Sequence, residues 1–220
     1  MIVIPPREGE IIGDAPDRRV EMLSDDDSLH ATWSRFGPRR AGANLHVHYH
    51  HTDLFYVLAG ELTVMLGPEG EETVASPGTL VRIPPLVVHG FRNGSDAELR
   101  YLNFHAPGQG FAAYMRGNRD GRPVDFDQED PPADGGRPAT DAVMTRGQTD
   151  GDEIAVSELQ GPEPRRVHSD RVTSFYVLDG ELAITAADRE IRAEPGTWIQ
   201  VPSGEPHEIT AAGRVLHIRT

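Results

Sequence analysis

Ten histidines, with no cysteine and no lysine, set the chemistry open to this 220-residue chain. Without Cys there is no thiolate nucleophile, disulfide, iron–sulfur cluster or thiolate zinc site. Every cation is Arg, so Schiff-base chemistry on a protein amine, pyridoxal enzymes included, is closed as well. Imidazole and carboxylate remain, the donors of metal and acid–base sites. They are densest in Gly42-Ala-Asn-Leu-His46-Val-His48-Tyr-His50-His51-Thr-Asp53. Side chains alternate along a strand, so His46 and His48 share a face and can grip one ion. A carboxylate from the next strand and an imidazole from a distant hairpin would complete a mononuclear site with open positions. Alternation puts His50 on the same face, which makes His48 with His50 an alternative pair, and turns His51 the other way, toward solvent. This donor set suits divalent iron, manganese, nickel, copper or zinc without choosing among them.

The elements that must position these donors are read from an internal repeat. Phe55-Tyr-Val-Leu-Ala-Gly60-Glu-Leu62 recurs as Phe175-Tyr-Val-Leu-Asp-Gly180-Glu-Leu182, and Pro77-Gly78-Thr79 with Ile83-Pro84 and His89 recurs as Pro195-Gly196-Thr197 with Val201-Pro202 and His207. Duplication of one domain explains the agreement. Each copy is rich in Val, Leu, Tyr, Phe and Thr, carries no sustained helical stripe, and is punctuated by Gly67-Pro68, Asn93-Gly94-Ser95 and Ser203-Gly204. Short strands at this spacing predict an all-β fold of two tandem jelly-roll β-barrels. The expected boundaries are 1–110 for the first barrel, 111–150 for a connector and 151–220 for the second barrel. Within the connector, residues 110–116 read as a short helix. The acidic, Pro- and Gly-rich run Asp125 to Gly136 reads as an irregular linker, either a tether or a lid over a barrel mouth.

The first copy resembles the two motifs of the cupin superfamily. One is Gly, His46-x-His48, four residues, an acidic residue at 53, six residues and Gly60; the other is Gly78, five residues, Pro84, four residues, His89, three residues and Asn93. The resemblance implies one divalent transition metal in the N-terminal barrel on His46, His48 and His89, joined by Asp53. Two positions depart from the motifs. Asp53 stands where cupins usually carry Glu, so the shorter side chain either reaches the metal, orients a ligand or acts as a base. Leu86 stands at a usual glycine. His30, His105 and His217 read as structural, although His105, in the alternating Tyr101-Leu-Asn103-Phe-His105, is placed to line the pocket.

In the second copy, alignment puts Arg166 at the place of His46, His168 at that of His48, Thr173 at that of Asp53 and His207 at that of His89. A guanidinium repels the cation whose ligand it replaced, so this barrel is expected to be free of metal. The run Asn103-Phe-His-Ala-Pro107-Gly-Gln-Gly110-Phe is similar to the segment just after the barrel in small bacterial quercetinase-like cupins. That implies a dioxygenase acting on a small enolisable or aromatic substrate, with Asp53 taking its proton. The alternatives are a metal-dependent isomerase or lyase and a non-catalytic barrel that binds a small molecule. A net charge of −14 disfavours nucleic acid and anionic membranes as partners. No apolar run approaches a membrane span and no leader is read at the N-terminus, so a soluble cytoplasmic protein is expected. Leu54, Tyr56 and Leu58 make one strand apolar on both faces, to be covered by the second barrel or in a homodimer.

Overall fold

The computed structural model describes all residues except 162, 163, 168, 169, 187 and 188. His168, the expected counterpart of His48, therefore lies outside the described residues. The chain divides into two compact units, one formed by Met1–Gly9 with Gln148–Thr220, the other by Glu10–Gly147.

β1 (Ile2–Ile4) opens the chain, and the unit Glu10–Gly147 comes next with β2 (Glu10–Ala15), β3 (Arg18–Asp26), β4 (Leu29–Phe36), β5 (Thr52–Ala59), β6 (Leu62–Leu66), β7 (Glu71–Ala75), β8 (Thr79–Ile83), β9 (His89–Arg92), β10 (Leu99–Ala106), α1 (Phe111–Arg119) and β11 (Val143–Arg146). A seven-stranded sheet runs β11-β8-β5-β10-β4-β3-β2 and a three-stranded one β7-β6-β9. Inward residues of both sheets, among them Phe55, Val57, Leu62, Val64, Val81 and Leu99, share one core, which makes the unit a jelly roll. The other unit contains β12 (Gln148–Asp150), β13 (Ala155–Leu159), β14 (Arg165–Val167), β15 (Thr173–Val177), β16 (Glu181–Ala186), β17 (Arg189–Ala193), β18 (Trp198–Val201), β19 (His207–Ala212) and β20 (Val215–Arg219). Its sheets run β1-β18-β15-β20-β13-β12 and β14-β19-β16-β17.

The repeat is preserved in register. Asp53 pairs with Ile83 between β5 and β8, and Thr173 pairs with Val201 between β15 and β18. The unit boundaries differ from the expected ones. Residues 1–9 belong with the second barrel because β1 adds to the edge of β18, Ile2 opposite Gln200, and buries Met1 and Val3 partly against its core. The connector is part of the first unit. Its helix forms as expected, but β11 pairs along β8, Val143 opposite Arg82, and satisfies backbone groups that a free edge would leave open.

Motif residues shape turns as well as sites. Gly60 holds φ +76°, and a Cβ there would lie 2.3 Å from the Glu98 carbonyl oxygen. Asn93 is fully buried; its amide donates to the carbonyls of Gly37 and Ala97 at 2.7 Å and its oxygen accepts from Ser95. Leu86, at the usual glycine, adopts φ +67°. Its N–H donates to the His48 carbonyl at 2.7 Å and its own carbonyl accepts from the Arg137 N–H, so two backbone hydrogen bonds hold a conformation Leu disfavours.

Gly121, at φ +66° with open space for 4 Å around an added Cβ, separates conformational cost from collision. Gly121→Ala is expected to cost about 1 kcal/mol and Gly60→Ala more than about 2 kcal/mol, read as shifts of the urea unfolding midpoint. Equal costs would show that the close approach to Glu98 does not constrain the fold.

Candidate metal centre

His46, His48 and His89 come together in the first barrel. Residues 46 and 47 form isolated bridges rather than a long strand: His46 pairs with His89 through hydrogen bonds of 2.9 Å in both directions, and Val47 pairs with Glu129. Alternation still holds over this short stretch, with the His46 and His48 rings together and Val47 buried away from them. The ring centroids are 4.7 Å apart for His46 and His48, 4.3 Å for His46 and His89, and 5.1 Å for His48 and His89.

The hydrogen bonds fix the tautomers. Nδ1 of His46 donates to the Asn44 carbonyl at 2.7 Å, Nδ1 of His89 to the Val87 carbonyl at 2.8 Å, and Nδ1 of His48 to the Asp127 carbonyl. A carbonyl only accepts, so each Nδ1 carries a proton and each ring turns its Nε2, the remaining donor atom for a metal, inward. Burial, reinforced by the neighbouring His89, pushes the His46 pKa down to about 4. Burial and then His51 push His48 lower still. Nε2 of His46 and His48 are 3.2 Å apart, and the buried Nε2 of His89 has no hydrogen-bond partner. Two nitrogens each about 2.1 Å from one ion lie about 3 Å apart, so the donors fit a divalent cation.

Asp53 stands at the start of β5 with its two oxygens turned differently. Oδ2 is 3.4 Å from Nε2 of His89 and 4.0 Å from Nε2 of His48. Oδ1 accepts a short hydrogen bond from the Asn103 amide and is 3.5 Å from Nε2 of His105.

Two expectations for neighbouring histidines are corrected. His51 is buried rather than solvent-exposed, and His50, the alternative partner of His48, is exposed and outside the cluster. The cause is a bend at Tyr49 and His50: Asp127 accepts their backbone N–H groups at 2.8 and 2.7 Å, breaks the strand alternation and swings His51 inward. His51 Nδ1 then lies 3.1 Å from the same carboxylate. His48, His51 and His105 form a second donor group, sharing His48 with the first. His105 lines the cavity beside Asp53, its register partner on β5. His30 stacks on His105 at 5.2 Å and meets Phe111 at 4.6 Å. Of these groups the sequence offered a signal for His105, through its alternation with Tyr101 and Asn103. It offered none for Asp127, 78 and 77 residues from the Tyr49 and His50 backbone it holds.

The connector closes over this centre. Phe126 packs within 5.7 Å of the rings of His48, His51 and His105 and against Phe111 and Tyr114. Beneath lies a cavity of about 520 Å³ with His46, His48, Asp53, Asn103 and His105 at one end and Arg18, Phe36 and Phe91 among its other walls.

In the second unit, Arg166 is exposed and pairs with Glu208 at 3.3 Å, while Thr173 is buried. His207 is buried, with Nδ1 3.0 Å from the Glu205 carbonyl, and Phe175 is a ring neighbour of both it and His217. Among the described residues both histidine groups capable of holding a metal lie in the first unit.

The cupin domain family matches residues 32–105 and 153–218, and the chain belongs to that family. Over 92 residues, 41% of the chain, it is 30% identical to quercetin 2,3-dioxygenase of Bacillus subtilis (strain 168). That match spans 27% of the relative's length. Among solved structures, the E. coli protein YlbA superposes with a TM-score of 0.73 at 13% identity, covering 99% of this chain and 89% of that one. AerE from Microcystis aeruginosa gives 0.65 at 14% identity, covering 99% and 97%. A variant of Bacillus subtilis oxalate decarboxylase gives 0.64 at 12% identity, covering 100% and 77%. At these identities the likeness shows the fold. No helix among the described residues is long and apolar enough to cross a membrane.

Burial, and secondarily His51, lowers the His30 pKa to about 3. Below about pH 6.5 the unfolded chain binds a proton that folded His30 refuses, so stability is complete above that pH and is lost as pH falls toward 3. His30→Leu is expected to lose on the order of 1–2 kcal/mol less than the parent between pH 7.5 and pH 5, measured by urea unfolding at each pH. An identical loss in both proteins would mean that His30 takes up its proton in the folded state.

Proposed function

We propose that the first barrel holds one divalent transition-metal ion on His46, His48 and His89 and is a dioxygenase acting on a small enolisable or aromatic substrate. The observation that carries the metal is the convergence of three Nε2 lone pairs, each ring held in one tautomer by a backbone carbonyl. In a dry site such lone pairs repel unless a cation shares them. The dioxygenase reading is supported by the similarity of 92 residues to a protein named quercetin 2,3-dioxygenase.

An ion bound there supplies Lewis-acid polarisation and an open coordination position. Asp53 is the base: it faces the cavity, Asn103 anchors Oδ1, and Oδ2 is left to accept a proton from a substrate hydroxyl. Phe126, Phe111 and Tyr114 keep water from the reacting end, and a small molecule fits the cavity volume.

Elemental analysis of the purified protein should give one ion per chain, falling below about 0.1 per chain in His48→Ala, since loss of a ligand removes most of the affinity. Oxygen uptake with a panel of flavonols, on protein loaded with iron, manganese or nickel, should vanish in that variant. Asp53→Asn should keep its ion and lose roughly 10²–10⁴ in turnover, the usual contribution of a positioned base. Loss of the ion from Asp53→Asn would make Asp53 a ligand instead. Turnover that persists without oxygen would assign the site to isomerase or lyase chemistry, and saturable binding without product to a non-catalytic barrel.

A further inference from the structure

The cavity that ends on the histidines carries a second recognition element on its opposite wall. Arg18, the first residue of β3, lines it beside Phe36, its register partner on β4. The guanidinium carbon lies 5.9 Å from the Phe36 ring centroid, a cation–π placement that holds the side chain in position. Its Nε–H is buried and has no hydrogen-bond partner. The other arginines of the cavity are neutralised: Arg40 by Asp17 at 3.0 Å, Arg119 by Glu10 at 3.2 Å and Asp120 at 3.0 Å. In a chain with 35 acidic residues against 21 arginines, a cavity arginine without a carboxylate partner departs from the prevailing pattern. Its positive charge is felt at the buried Tyr101 hydroxyl, which also hydrogen-bonds Ser34 on the same wall.

Register sets the spacing. Arg18 pairs with Phe36, Ser34 with Tyr101, Thr32 with Asn103, His30 with His105, and His105 with Asp53. Arg18 therefore stands six residues from the Asp53 row, about 20 Å along the strands, and side chains reaching inward from both ends leave roughly 10 Å. A planar fork of donors is the shape that binds a carboxylate through two hydrogen bonds.

We propose that the substrate is an aromatic acid, with its hydroxyl-bearing ring at His46, His48 and Asp53 and its carboxylate on Arg18. This rests on the reading of the histidine end as the reacting end. Arg18 is then a specificity residue that selects an ionised substrate and takes no part in the chemistry.

The test compares 3,4-dihydroxycinnamate with its methyl ester, two probes that differ in the charged group alone, by fluorescence titration of the metal-loaded protein. The acid should bind at least about tenfold tighter than the ester. Arg18→Gln should bring the two within about twofold, Arg18→Lys, which keeps the charge without the fork, should give an intermediate ratio, and Arg119→Gln should leave the ratio as in the parent; thermal unfolding checks that each variant folds. Equal binding of acid and ester by the parent, a preference that survives Arg18→Gln, or no saturable binding of either probe overturns the assignment. Retained metal and oxygen uptake with no acid preference removes the Arg18 anchor alone. An acid preference lost in Arg18→Gln, in a protein that takes up no metal, supports the anchor and removes the proposed function.

Discussion

Three hydrogen bonds from imidazole Nδ1 to backbone carbonyls govern the centre of the first barrel. Each bond chooses a tautomer, and each carbonyl belongs to a different local feature: Asn44 before the first histidine, Val87 in the turn before β9, and Asp127 in the connector. The rings are thereby aimed by the fold and need no metal to orient them, which is preorganisation of a ligand set. The low pKa values of His46 and His48 come from the same placement, because burial beside other imidazoles disfavours a charge on either. Neutral rings at physiological pH are in turn the form that coordinates a cation.

Asp127 shows how far this centre depends on chain remote from it. Its backbone carbonyl orients His48, while its carboxylate holds the N–H groups of Tyr49 and His50 and meets His51. One residue of an acidic, Pro- and Gly-rich stretch therefore turns the ligand loop and seats the aromatic cover formed by Phe126. Leu86 adds a second restraint, its N–H bonded to the His48 carbonyl despite an unfavourable backbone angle. That strain persists because hydrogen bonds on both sides of it determine the conformation.

The strand-rich repeat, the two barrels and the grouping of His46, His48 and His89 are legible in the sequence, because side-chain alternation and motif spacing are local rules. Local rules fail where a long-range contact overrides them. Alternation extended through Tyr49 and His50 puts His51 at the surface, whereas Asp127 imposes a bend there. The connector has the composition of a linker; its order comes from pairing on the β8 edge and on Val47, neither of which composition encodes. Residues 1–9 carry no sign that they complete the edge of a sheet whose other strands begin at position 148.

Comparison of the two barrels separates what the fold requires from what the site requires. The positive-φ glycine after the first repeat block is kept in both, at Gly60 and Gly180, where a side chain would strike a carbonyl oxygen of the facing loop. The carbonyl that orients the last histidine is kept too, from Glu205 to His207 as from Val87 to His89. Two other donor positions differ: Arg166 points to solvent and Thr173 replaces the carboxylate, while Phe175 is a ring neighbour of both His207 and His217. Among the described residues, His207 has no histidine group about it that could hold a metal. The residues that close the turns and fill the core of each barrel are thus distinct from those that supply the donors of the first.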